Sequence, residues 1–332
     1  MIQILHLLDD GGPGGVTRFL ARLKGTAHLA GGVRHAVVIV PRGRLPKRFD
    51  ADLVVSHLSV SWRTLPALSA LRARAAHLPL VHVEHSYSGA FAEECVRAPA
   101  RFQALLGGAY ALFDRVVAVS GAQAEWLAGT GLVGTGALRV IPPVTDLGPF
   151  LALGAPHRPA RRFGAIGRFD RQKGLDILID AFRATTDPAL TLGLTGDGPE
   201  RADLVRRAAG DPRITFAPFT STPERTLAAL DAVAMPSRWE PYGLAALEAR
   251  AASRPLLVSA GVDGLEEHAR AGAIRVGRAA AAWTAAIEDL ARAVPRDRIA
   301  AARADAAGAM ARSEEGWDRL IGELCGSRAR AA

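Results

Sequence analysis

Short apolar runs alternate along the chain with longer stretches whose apolar positions fall three or four apart. The runs are IQILHLL (2–8), HAVVIV (35–40), DLVVSHL (52–58), LVHVEH (80–85), RVVAVS (115–120) and LRVIP (138–142) in the first half. RFGAIG (162–167), LTLGLTG (190–196), RITFAP (213–218), AVAMP (232–236) and RPLLVS (254–259) continue the rhythm in the second. Nearly continuous apolar strands, each followed by a helical pattern, predict parallel sheets covered on both faces. Between the halves, residues 143–161 are rich in Pro and Gly and lack a period, as a linker should. The Ala- and Arg-rich stretch from 278 onward reads as helices, the last over about 312–326. The fold class expected is therefore α/β, with two Rossmann-like domains at 1–150 and 151–311. A C-terminal helix at 312–332 is expected to pack back on the first domain. Ligands in such sheets bind outside the carboxyl ends of the strands, here in a central cleft that the two sheets face.

The length of 332 residues agrees with two domains at about 150 residues each. No apolar run approaches the roughly 18 residues of a membrane span. MIQILHLLDD has no basic leader and meets acid early, so it reads as a first strand and the protein as cytoplasmic. Cys95 and Cys325 lack metal-ligand spacing and are expected as free thiols. The net charge of +8 raises the question of nucleic acid. The basic residues are scattered, aromatics are few, and no nucleic-acid motif is present, so that class is set aside. A phosphorylated small ligand and an anionic membrane surface use the charge better. PRGRLPKR (41–48) and SWRTLPALSALRARAA (61–76) read either as a solvated helix face or as a peripheral seat on anionic lipid.

The densest chemistry lies in PSRWEPYGLAALE (236–248). Pro241 suits the first position of a helix, where its missing N–H costs nothing. The backbone N–H groups of Tyr242, Gly243 and Leu244 would then face a ligand, with Glu240 at the mouth of an anion site. Glu248 follows eight residues on, roughly 12 Å along a helix axis, so the two acids suit different parts of one long ligand. In FGAIGRFDRQKGLDILIDAF, Arg168 and Lys173 stand in the loop after a strand, placed for a diphosphate. Lys173 is one of three lysines in the chain, so an Arg-rich composition alone does not explain it. Glycine turns follow two other strands: DDGGPGG, with Gly14 and Gly15 opening a helix, and LTGDGPER, with Gly198. His82 and Glu84 share one face of their strand but show no third metal ligand, whereas His85 at the strand end projects into the cleft or is structural.

GGVTR, the strand-end His85, IPPVTD, GRFDRQKG, TGDGPER and PSRWEPYGLAALEA together resemble, in order and spacing, the retaining glycosyltransferases of family 4 with the GT-B fold. The resemblance covers nearly the whole chain, and its specific element is the pair of acids Glu240 and Glu248 with their PS…EPYG lead-in. It implies that Glu240 faces the transferred sugar and Glu248 the ribose hydroxyls. By the same likeness Arg168 and Lys173 hold the diphosphate, Gly15 offers it backbone, and His85 contacts the sugar near the reacting centre. Two departures stand out: Pro143-Val144 replaces the family's Asn-Gly, and the first domain, where acceptors bind, is short.

The implied activity is transfer of a sugar from a UDP- or GDP-linked donor to a hydroxyl of a carbohydrate or lipid-linked acceptor, in polysaccharide or glycolipid synthesis. The cations make a metal unnecessary, and no cofactor is expected beyond the nucleotide-sugar substrate. The competing readings are a nucleotide-sugar hydrolase or epimerase of the same fold, and a non-catalytic nucleotide-sugar binder.

Overall fold

The computed structural model describes residues 1–12, 14–26 and 32–329. The chain divides into two compact units, residues 1–145 with those from 309 onward, and residues 146–308. Each holds a six-stranded parallel sheet with helices on its faces.

The first unit contains β1 (Ile2–Leu8), β2 (Val33–Ile39), β3 (Leu53–Ser56), β4 (Leu80–Glu84), β5 (Arg115–Ala118) and β6 (Leu138–Val140). Their order is β2-β1-β3-β4-β5-β6, so the winding reverses between β1 and β3. β3 and β4 are buried along their whole length, which is why they carry no alternation. β2 lies at the edge and alternates buried Val33 and His35 with exposed Arg34 and Ala36. Apart from β1, the strands of this unit end one or two residues before the apolar runs do, because the following residue starts a cap or loop. Ser120, for example, accepts from the N–H of Gln123 at 3.1 Å and caps the helix Gly121–Gly129.

The last helix, Ala309–Ala329, belongs to this first unit. It buries Trp317, Leu320 and Ile321. Ser313 Oγ donates to the Pro142 carbonyl at 2.8 Å, and Glu314 pairs with Arg22 at 2.6 Å. Glu323 pairs with Arg139 at 2.6 Å. Residues 330–332, at the end of the expected helix, lie outside the described residues.

The second unit contains β7 (Arg162–Ile166), β8 (Thr191–Thr195), β9 (Ile214–Ala217), β10 (Ala232–Met235), β11 (Leu256–Ser259) and β12 (Ile274–Val276). The order β12-β11-β10-β7-β8-β9 is that of a dinucleotide-binding sheet, with its reversal between β7 and β10. β12 was not visible in the apolar pattern: three residues with an exposed Arg275 are too few to show a period. Phe163, Phe182, Leu178, Trp283 and Ile287 fill the core on one face. Within the expected linker, Gly148–Leu151 forms a single helical turn that buries Phe150.

Two arginines of the basic segment expected to face solvent or lipid are tied down internally. Arg74 donates to the carbonyls of Pro46 and Lys47 at 2.6 and 2.7 Å, and Arg72 pairs with Asp114 at 2.9 Å. Trp62 remains half exposed, with Arg101 5.6 Å from its ring. Among the described residues no helix is long and apolar enough to cross a membrane.

Candidate active site

The reversal between β7 and β10 gathers most of the residues expected to hold the donor. After β7 the chain runs through Gly167 and Arg168, whose guanidinium is 67% exposed and meets Asp170 only at 4.0 Å. Phe169 turns inward and is fully buried, anchoring the loop. Its N–H donates to the Asp197 carbonyl at 2.8 Å and its carbonyl accepts from the Glu200 N–H at 2.9 Å. A Cβ on Gly198 would stand 2.4 Å from that carbonyl oxygen. Gly198 therefore serves the close approach of two loops, a structural use of the glycine. Asp170 caps the short 3-10 turn Arg171–Lys173.

Gly174 then takes φ +62°, and a Cβ there would lie 2.1 Å from the Pro236 carbonyl oxygen. Only glycine lets the loop after β7 touch the loop after β10 this closely. Arg238 clasps the contact: its N–H donates to Gln172 O at 2.7 Å and its guanidinium to Arg171 O at 2.8 Å. The same guanidinium binds both oxygens of Asp176 at 2.9 and 2.6 Å. Burial pushes the Asp176 carboxyl up, but the Arg238 bonds outweigh it and hold it below its ordinary value. Gln172 donates to Trp239 O at 3.1 Å. The outcome is that Lys173 Nζ lies 2.6 Å from Glu240 Oε2, with Ser237 Oγ 3.4 Å from the same oxygen. Glu240 is buried and Lys173 partly so.

The helix expected to open at Pro241 starts three residues later, spanning Leu244–Ala251. Gly243 is its N-cap at φ +99°, a conformation that ends the preceding bend and cannot continue a helix. The bend is held by the Glu240 carbonyl accepting from Gly264 N–H at 2.9 Å. Tyr242 consequently sits in the bend, while Gly243 and Leu244 present the helix start, which has no side-chain cap. The 12 Å separation expected between Glu240 and Glu248 is also revised. Only Leu244–Glu248 are helical, about 6 Å of rise, and the rest is the bend. Glu248 is buried on this helix.

Two residues outside the expected set support the bend. His268 Nε2 donates to the Tyr242 carbonyl at 3.1 Å, which leaves Nδ1 to accept from Arg250 Nη1 at 2.9 Å. Burial, then the Arg250 charge, pushes His268 down to about 3, so the ring is neutral. Arg250 is itself buried and also bonded to Asp305.

In the first unit, Gly14 is the N-cap of the helix Gly15–Lys24 and its N–H donates to Thr17 Oγ1 at 3.0 Å. Gly15 is the first helical residue, with no acid in the first turn to compete with an anion. His85 follows β4 on a loop fixed by Glu84. That carboxylate accepts from Ser86 N–H at 2.6 Å, Tyr87 N–H at 2.9 Å and Tyr110 Oη–H at 2.7 Å. His82 lies 3.4 Å from Glu84, so these two form a structural pair. Among the described residues no three His, Cys, Asp or Glu cluster as metal ligands. His85 Nε2 lies 2.8 Å from His57 Nδ1, and burial pushes His85 down to about 4. His57, Arg238, Asp176, Arg250 and His268 escaped the sequence reading, since each acts through partners far away in the chain.

Residues 14–148 of the chain match the family model for Glycosyltransferase Family 4, and residues 160–293 match that for Glycosyl transferases group 1. Together the matches cover well over half of the chain. The chain belongs to glycosyltransferase family 4. A relative, the D-inositol 3-phosphate glycosyltransferase of Nocardia farcinica, is 31% identical over 67% of this chain and 54% of its own length. The lipopolysaccharide core biosynthesis mannosyltransferase LpsB of Rhizobium meliloti is 32% identical over 44% of this chain and 45% of its own. The chain thus spans about half the length of these curated relatives. Among solved structures, Anabaena HepE in complex with UDP and glucose has a TM-score of 0.70 at 20% identity, covering 98% of this chain and all of its own. WaaG, a glycosyltransferase involved in lipopolysaccharide biosynthesis, gives 0.71 at 17% identity, covering 96% and 99%. The fold is GT-B, with which the two parallel sheets agree.

Proposed function

We propose that this chain transfers a sugar from a nucleoside diphosphate, UDP- or GDP-linked, to a hydroxyl of a carbohydrate or lipid-linked acceptor, with retention at the anomeric carbon. The observation that carries the reading is the contact of Lys173 with Glu240 across the reversal between β7 and β10, a cation and an acid where open sheets bind nucleotides. Family membership supports it, as does the binding of UDP in the HepE structure.

In this reading, cleavage of the glycosyl–phosphate bond places negative charge on the leaving diphosphate. Lys173, Arg168 and the open start of the helix at Gly243 and Leu244 meet that charge as it develops. Charge stabilisation of this kind does not call for a metal. Glu240 steadies the positive charge at the anomeric carbon, and Glu248 takes the ribose hydroxyls. The acceptor oxygen bonds to the anomeric carbon as the phosphate oxygen leaves, and the hydroxyl proton passes to the departing diphosphate. His85 contacts the transferred sugar, and Gly15 offers backbone N–H to phosphate. In this reading the chain serves polysaccharide or glycolipid synthesis, and Trp62 with its neighbouring arginines meets anionic membrane.

Thermal melting with UDP, GDP and their sugars tests the donor. A true donor at a hundredfold excess over its dissociation constant stabilises the fold by about 2.7 kcal/mol. Nucleotide release only when acceptor is present supports transfer; release or sugar rearrangement from donor alone would establish the hydrolase or epimerase reading instead. No stabilisation by any nucleotide sugar overturns the proposal.

A further inference from the structure

Four histidines, one from each of the adjacent strands β2, β1, β3 and β4 or from the residue just after, stand in single file across the first sheet. His35 Nδ1 lies 2.9 Å from His6 Nε2, and His6 Nδ1 lies 2.9 Å from His57 Nε2. His57 Nδ1 lies 2.8 Å from His85 Nε2. Neighbouring ring centroids are 5.1–5.2 Å apart. His6, His35 and His57 are buried. Phe19 packs on the rings of His57 and His85 at 6.4 and 6.3 Å, and Trp317 on His6 at 6.0 Å. Those two aromatics come from the helices Gly15–Lys24 and Ala309–Ala329.

Every contact in the file joins the Nδ1 of one ring to the Nε2 of the next. A neutral imidazole carries one N–H and one bare nitrogen, so each contact holds a single proton. If His6 donates from Nδ1, His57 must accept at Nε2 and therefore donate from its own Nδ1 to His85. His85 then carries its proton on Nδ1, the nitrogen not engaged in the file. If instead His85 donates from Nε2, the sense reverses through His57 and His6, and the His85 Nδ1 is a bare acceptor. Mixed arrangements place two protons or none in one contact, and a buried site tolerates neither. The neutrality this needs is supplied by burial, which, with the neighbouring rings, holds His57 well below its ordinary value.

We propose that His6 and His57 are positioning residues that decide, through this file of rings, which nitrogen of His85 carries its proton. The consequence for catalysis rests on the reading of His85 as a contact of the transferred sugar. With the proton on Nδ1, His85 offers the sugar a hydrogen-bond donor; with it on Nε2, an acceptor. The nitrogen-to-nitrogen contacts link His6 to His85 through His57, so a proton shift at His6 reaches His85 along that line.

Nitrogen-15 NMR of the histidines in the full chain, without substrate, tests the coupling directly. His6, His57 and His85 are expected to share one tautomer, all Nδ1–H or all Nε2–H. A mixture among the three in the unmodified protein overturns the proposal without any variant. In His6→Phe, and in the milder His6→Gln if the first does not fold, the His85 nitrogen shifts are expected to move toward the other tautomer. Unchanged His85 shifts in a folded His6 variant and in His57→Phe overturn it as well. Where the sugar reading also holds, kcat in His6→Phe falls about tenfold or more, on the scale seen when a partner that orients an imidazole is removed, with donor KM little changed. Moved shifts with an unchanged rate would keep the tautomer coupling and remove His85 from the chemistry.

Discussion

Lys173 and Glu240, 67 positions apart in the chain, meet at 2.6 Å because the loops after β7 and β10 are stitched together at Gly174 and Arg238. The pair keeps a buried carboxylate neutralised and a scarce lysine extended toward the strand ends. An ion pair of this kind is poor evidence for stability. Its value is in holding two side chains where charge changes during the proposed reaction.

Lys173→Ala is expected to lower kcat by about a hundred- to a thousandfold, the range for losing one preorganised charge-stabilising donor. Glu240→Gln removes the carboxylate charge at nearly constant volume and should lose a similar factor. Lys173→Arg is not expected to rescue, since the lysine stem runs beside Gly167 and a planar fork fits that space differently. Steady-state kinetics with a verified donor check all three, with circular dichroism confirming the fold.

Gly174→Ala should be severe for a substitution of one methyl. Its φ is +62° and the new Cβ would meet the Pro236 carbonyl, so the two loops must part. A stability loss of about 1–3 kcal/mol is expected by urea unfolding. Donor binding should weaken along with it, because Lys173 and Glu240 no longer face each other.

Acid should destabilise the protein through its buried imidazoles. His268 is held near 3, His85 near 4, and His57 well below 6.5, while unfolded histidines titrate near 6.5. Between those values the unfolded chain binds more protons, so stability is fully present above pH 6.5 and falls as pH drops. Each group costs at most about 1.4 kcal/mol per pH unit in that window. Urea midpoints between pH 7.5 and 5 should fall, and His268→Gln should flatten the slope.

Trp317→Ala is expected to cost about 3–5 kcal/mol, as for other fully buried large aromatics. The loss should appear in the unfolding of the first unit, to which its helix belongs, and it is read by tryptophan fluorescence and differential scanning calorimetry.

The alternation of apolar runs and helical stretches was enough to reveal a two-part α/β chain, and eleven of the twelve strands among the described residues were legible. A parallel strand buried on both faces is largely apolar, so β3 and β10 declare themselves without any partner. β12, with one exposed arginine in three residues, does not. The helix after β10 was legible in type but not in its start, because Gly243 at positive φ, not Pro241, ends the bend. Spacing and residue type singled out Arg168, Lys173, Glu240 and Glu248 as candidates without any tertiary contact.

What the linear chain determined, then, was which segments are buried and which loops carry charge or glycine. Strand order was left to the tertiary structure, since apolar periodicity says that a strand is covered and not which strand lies beside it. That order brings β7 next to β10 and so joins Lys173 to Glu240. It also lines up His35, His6, His57 and His85 across four neighbouring strands, a file that no local pattern encodes.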